Sequence, residues 1–231
     1  MACILQPMSQ SMLFSRKLNK PAHPQLPMNN TAIEHVKSHK HLGITLSSDA
    51  KWSKHISLML GKAWRRIGLL RSLKYHLNRP CLEKMYFIRP LLESGDMIWD
   101  NCTNQQKSNT ESVQNEAALI VTGATKYCTS DSMLAKLKWD SLTDRRRKHK
   151  LNALYKVNHS LSPKYLIDLL PTQQQTLDNL RTANNIPPMT ARTQMYQNSF
   201  LLATIRIWND LPLSVKNFPL LYPENENIPT Y

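Results

Sequence analysis

The sequence predicts a mainly α-helical protein with a short β element at its start, and three observations carry that prediction. Glycine is scarce, at 5 of 231 residues, which disfavours an architecture of strands and tight turns. Proline is common, at 14, but gathers towards the two ends and leaves the middle free for helices. From Trp52 onward, apolar residues recur with a helical period rather than alternating. Hydrophobic residues make up 41% of the chain, enough for the core of one domain or two small ones.

The β element is expected within residues 11–46. Ser11–Phe14 is a first strand candidate, followed by a loop with Pro21, Pro24 and Pro27. Ala32–Val36 is a second. His41–Leu46 is a third, with Leu42, Ile44 and Leu46 alternating onto one face. A long helix comes next, with Ser48 or Asp49 as its cap. At 100° per residue, Trp52, Ile56, Met59, Ala63, Ile67, Leu70 and Leu77 share a narrow arc, the expected core face. Pro80 suits the first turn of a second helix. A third helix spans Gln105 to about Val121, stopped by Gly123. A fourth starts at Ser130 or Asp131 and buries Leu134 and Leu137. Thr143 or Asp144 opens or sits early in a fifth, which runs to about Asn158. Pro163 begins a short helix through Leu170, residues 171–198 read as irregular, and Phe200–Asn209 forms a last helix. The tail from Pro219 reads as loose.

The formal charge is +14, from 30 basic and 16 acidic residues, and such a surplus points to a polyanionic partner, nucleic acid first. The charge is locally concentrated: nine Lys or Arg and one acid, Glu83, lie between Lys51 and Lys84. Lys51, Lys54, Lys62 and Arg65 gather on one flank of the long helix, beside its core stripe. That arrangement suits a helix lying along a phosphate backbone, with an ordinary solvated face as the alternative. A second basic run, Arg145–Lys150, invites the same two readings. The four cysteines form no C-x-x-C pair, so a zinc knuckle is not supported and a reduced intracellular protein, nuclear or cytoplasmic, is expected. Met1–Pro7 lacks the basic and long apolar regions of a signal peptide, and no apolar run approaches the ~20 residues of a membrane span. There is no Gly-rich phosphate loop, H-E-x-x-H or G-x-S-x-G, and His149, His159 and the cysteines are not spaced as a nucleophilic site.

One ordered set of short motifs carries more. It begins with His39–Asp49, Lys51–Trp52 and His55–Ile56, and continues through Phe87–Glu93, Ile98–Cys102, Glu116–Ala118 and Ile120–Thr125. Trp139, Leu142–Arg146, His149–Leu151, Leu161–Pro163, Asn179–Arg181, Asn198–Phe200 and Thr204–Pro212 complete it. Together these resemble the part of non-LTR (LINE-like) retrotransposon reverse transcriptases that lies just after the catalytic strands, most closely the jockey and CR1 types. The resemblance spans about residues 12–213.

The resemblance implies residues 1–48 as a palm-end and primer-grip remnant, 49–125 as a thumb-like helical bundle, 126–213 as a C-terminal helical region and 214–231 as a flexible tail. Leu42-Gly43-Ile44 match the primer grip, where Gly43 would let a backbone approach closely; a tight turn or a bulge explains the same glycine. The partners implied are an RNA template and an RNA–DNA hybrid, gripped by phosphates and shape, together with the upstream palm and fingers. Arg145 and Arg146 could contact RNA or lie on a solvated face. The family's metal-binding Tyr/Phe-x-Asp-Asp hairpin lies upstream and does not occur here; Asp96 and Asp100 are not its counterparts. Mg²⁺ and polymerisation therefore belong to the intact parent enzyme, and this chain alone is expected to be inactive. Two other origins stand beside this one: a stand-alone RNA-binding or adaptor protein domesticated from the element, and a pseudogene product.

Two departures from the family pattern matter. The lysine usual before the Met12–Phe14 strand is missing from Pro7–Ser11. Between Tyr86 and Phe87 the chain is about two residues short, which in a continuous helix rotates all downstream side chains by about 200°. A break or kink between Phe87 and Leu92, aided by Pro90, and marginal stability are expected.

Overall fold

The computed structural model describes residues 10–17, 19, 22, 24–28, 31–84, 87–125, 127–171, 185–212 and 216. The expected features at 172–184, the tail apart from Lys216, and Met85–Tyr86 lie outside the described residues. The protein is mainly helical, with a short N-terminal strand region. The strands are β1 (Gln10–Ser11), β2 (Pro27–Met28), β3 (Thr31–Ala32), β4 (Glu34–His35), β5 (Ser38–His41) and β6 (Ile44–Ser47). The helices are α1 (Ser53–Leu73), α2 (Arg79–Lys84), α3 (Arg89–Glu93), α4 (Asp96–Trp99), α5 (Asn104–Thr122), α6 (Ser130–Leu137), α7 (Leu142–Asn158), α8 (Lys164–Ile167), α9 (Gln194–Gln197) and α10 (Phe200–Asn209). They form two compact units, Met1–Gly95 with Cys102–Leu137, and Asp96–Asn101 with Lys138–Tyr231.

In the first unit the strands pair two by two: β1 with β4 in parallel, β2 with β3 and β5 with β6 antiparallel. Among the described residues no sheet exceeds two strands. The strand expected over His41–Leu46 is a hairpin instead, for Leu42 and Gly43 are its turn. Both have positive φ, 45° and 86°, the signature of a type I′ turn, whose twist matches that of the flanking strands. A Cβ added at Gly43 would meet no protein atom within 4 Å, and its positive φ is itself a reason for glycine at this turn.

Helix α1 buries Ile56, Met59, Ala63, Ile67 and Leu70 of the expected stripe and adds His55, whereas Trp52 and Leu77 fall outside the helix and are half-buried. Its N-cap is Trp52 without a side-chain cap, rather than Ser48 or Asp49; Asp49 Oδ1 accepts from the Lys51 N–H at 3.1 Å, a turn ahead of the helix. α1 packs along α5, and α5 also receives α2 and α6. α5 starts with a capping box, Thr103 and Gln106 satisfying each other's backbone, and ends at Gly123 in the left-handed conformation. Val113, Ala117, Ala118, Val121, Leu134 and Leu137 fill out this core, and full burial of each large aliphatic contributes about 1.5–3 kcal/mol. α6 belongs to this unit, which runs on to Leu137, with Met133, Leu134 and Leu137 buried. α2 and α3 are separate helices, with a turn at Phe87–Ile88 and Pro90 in the first turn of α3. The break lets Leu82, Ile88 and Leu92 all be buried, which one continuous helix would not.

The second unit is built on α7 and α10. Leu151, Leu154, Tyr155, Ile186, Ile205 and Trp208 form its core. α7 is capped by Ser141, whose hydroxyl accepts from the Asp144 N–H, so Thr143 and Asp144 sit in its first turn. Asn209 closes a two-bond clip on Ile186, donating to its carbonyl at 2.8 Å and accepting its N–H at 3.0 Å. α8 is shorter than the Pro163–Leu170 segment expected, and α9 lies in a stretch expected to be irregular, where Thr193 caps it.

Candidate nucleic-acid interface

α1 carries no acidic residue, and its basic side chains point outward. Lys54, Lys62, Arg65 and Arg66 are all exposed. Lys51 is exposed too, but precedes the helix. Two of these charges are held in place. Lys54 Nζ donates to Ser38 Oγ at 2.5 Å, tying the helix start to β5, and Arg65 Nε donates back to the Gly61 carbonyl at 3.3 Å. Arg71 is engaged elsewhere, in a 2.6 Å ion pair with Glu116 of α5.

The β5–β6 hairpin stands against the first turns of α1. The buried Thr45 N–H donates to His55 Nδ1 at 3.3 Å, which makes that nitrogen an acceptor and leaves the ring proton on Nε2. Burial holds the His55 imidazole below its ordinary value, and the Lys62 ammonium pushes the same way, so the ring is neutral in this anchoring role. Leu42, at the hairpin tip, is 88% exposed, and Ile44 is half-buried. Lys40 is exposed on β5. A cleft of about 220 Å³ opens between hairpin, α1 and α3, with Lys40 and Lys62 on its lining. The structure thus brings Gly43 and Lys62 to one cleft, with Lys54 tied to the base of the same hairpin. Sequence reasoning missed Lys40 and Arg66: Lys40 sits on a strand, outside any helical wheel, and Arg66 falls between the basic flank and the core stripe.

The second basic run is used differently. Arg146 is 3% exposed, and its Nε lies 3.3 Å from Asp100 Oδ1, with the guanidinium 5.8 Å from the Trp99 ring centroid. Lys150, also buried, bonds the other oxygen of Asp100. His149 Nδ1 meets the buried Asp96 at 2.7 Å, and Lys148 pairs with Asp140 at 2.6 Å. Two carboxylates four residues apart on α4 and its end therefore meet Arg146, His149 and Lys150, three and four residues apart on α7. Arg146 is thus a buried partner of Asp100, where the sequence placed it either against RNA or on a solvated face. Arg145 is half-buried and Arg147 exposed.

Among the described residues no group of three or more His, Cys, Asp or Glu could hold a metal ion, and no helix is long and apolar enough to cross a membrane. Compared with protein-family models, curated proteins and solved structures, the chain has no match.

Proposed function

We propose that this chain is the carboxy-terminal, thumb-like part of a non-LTR retrotransposon reverse transcriptase, and that it holds RNA template and RNA–DNA hybrid through the phosphate backbone. The observation that carries the reading is the acid-free flank of α1, where Lys54, Lys62 and Arg65 are exposed together beside a hairpin bearing Lys40. Charge of one sign along a helix recognises phosphates without reading base edges. The ordered motifs add the family. In this reading Mg²⁺ and the polymerising carboxylates reside in the upstream palm, which the chain meets inside the cell, in the nucleus or the cytoplasm.

The test is filter binding of an RNA–DNA hybrid by the full chain. Reversing Lys54, Lys62 and Arg65 to Glu is expected to cost about 3 kcal/mol or more in sum. The slope of log affinity against log salt should flatten by about one for each phosphate no longer neutralised. Affinity that does not change assigns these residues to a solvated face. The family is tested separately: an open frame upstream encoding Tyr/Phe-x-Asp-Asp supports the polymerase, and an independent promoter with an intact intron supports a domesticated RNA-binding protein.

A further inference from the structure

The flank of α1 that turns towards α3 is not only basic. Leu58 and Leu69 stand on it 50% and 59% exposed, and Phe87, across from Leu69, is 60% exposed. Two clefts succeed one another along this side. Residues 55–62 of α1 face Leu91 and Ser94 in the first, and residues 66–73 face Phe87 and Ile88 in the second. The second has a volume of about 260 Å³. Arg66 donates to the Phe87 carbonyl and so stands at the second cleft's wall. From residue 55 to 73 the two clefts cover about 27 Å of helix length, the span of an eighteen-residue helix.

The lining decides what fits. Its apolar members are almost all aliphatic, with Phe87 alone aromatic. Nucleic-acid grooves stack bases on aromatic rings, whereas aliphatic floors receive the apolar stripe of an amphipathic helix. The charged members of the lining are Lys40, Lys62 and Arg66, and among the described residues no carboxylate lines either cleft. We propose that this groove docks an amphipathic helix of a protein partner, with apolar residues at i, i+3/i+4, i+7 spacing and acidic residues beside them that meet Lys40, Lys62 and Arg66. This site shares Lys40 and Lys62 with the proposed nucleic-acid face but rests on its own apolar lining.

The probe is a fluorescein-labelled eighteen-residue peptide with a leucine stripe flanked by glutamates, titrated with the full chain and followed by anisotropy. Two controls accompany it: the same composition scrambled so that no stripe forms, and the stripe retained with lysine in place of glutamate. The striped acidic peptide is expected to bind at least tenfold more tightly than either. Leu58→Ser, Leu69→Ser and Phe87→Ser combined should weaken it at least tenfold, with an unchanged far-ultraviolet circular dichroism melt, since all three side chains are half exposed or more. Lys164→Glu, exposed on α8 and outside the groove, should leave it unchanged. Equal binding of the scrambled peptide, or undiminished affinity in the triple variant, overturns the proposal. If the triple variant instead loses affinity for a single-stranded RNA and not for the peptide, the groove is a nucleic-acid surface and the proposal is wrong. A weakened hybrid affinity in Lys54→Glu/Arg65→Glu speaks only to the neighbouring phosphate face, since neither residue lines a cleft.

Discussion

Helices α1 and α7 both carry a run of Lys and Arg, yet they use that charge in opposite ways. On α1, among the described residues, no carboxylate pairs with Lys54, Lys62 or Arg65, and the charges stay in water. On α7, Asp100 holds Arg146 and Lys150 in the interior, Asp96 meets His149, and Trp99 lies against the guanidinium. A basic run is thus ambiguous by itself. What decides is whether the fold delivers acids to it, since a buried cation survives only with a partner.

The comparison breaks most visibly at Asp100. Asp100→Ala leaves Arg146 and Lys150 buried without their shared carboxylate, and is expected to cost about 3–5 kcal/mol in chemical denaturation. That is a large part of the roughly 5–15 kcal/mol typical of a domain. Replacing Arg146 and Lys150 by Met in the same chain should restore most of the loss, because the desolvation penalty goes with the charges. A destabilisation below about 1 kcal/mol in Asp100→Ala would show that the network is not internal. By contrast, each single reversal at Lys54, Lys62 or Arg65 should change stability by no more than about 0.5 kcal/mol, as at an ordinary surface position. A cooperative loss of folding there would erase the distinction between the two helices.

His55 sharpens the comparison within α1, as its one ionisable group that the fold takes inside. Its folded value lies below the ordinary 6.5, so the unfolded chain takes up a proton first as pH falls. Stability is therefore full above pH 6.5 and declines below it, down to the folded value. Denaturant midpoints measured from neutral to mildly acidic pH should show that decline, and His55→Asn, which keeps an acceptor for the Thr45 N–H, should flatten this part of it. A midpoint insensitive to the substitution on the acidic side would remove His55 from the account.

The smallest effect expected is at the hairpin tip. Leu42 occupies a left-handed position that asparagine or glycine fills at less cost. Leu42→Asn should stabilise by about 0.5–1 kcal/mol, raising the melting temperature by roughly 1–4 °C. A lowered melting temperature would mean that the leucine packs more than its exposure suggests.

These cases also show what was legible in the chain. The stripe of α1, the Gly123 stop of α5 and the span of α10 depend on residues within a few turns of one another, and local spacing reveals them. The burial of Arg146 was not legible, because the carboxylate that holds it lies 46 positions earlier, and a window of one helix cannot see it. The turn at Leu42-Gly43 was read as strand because leucine stands where Asn-Gly usually announces a hairpin. Helix α4, at four residues, is too short for a periodic signal of its own, though its two aspartates at i, i+4 were visible. The groove was half visible: Leu58 and Leu69 stood on the basic flank, but its second wall, α3, comes from beyond a break in the chain.

Neither unit is continuous in sequence, and that sets an order of events during synthesis. The short stretch Asp96–Asn101 is made before α5 and α6, yet its partners on α7 come later: Lys150 lies 50 residues beyond Asp100. At roughly 5–20 residues per second the ribosome takes about 2.5–10 s to supply it. Chains arrested at Leu137 should therefore show Trp99, fully enclosed in the 231-residue chain, accessible to a soluble quencher. For those seconds an indole and two carboxylates wait in water for cations not yet translated, and the second unit begins to assemble on a seed laid down while the first is still being made.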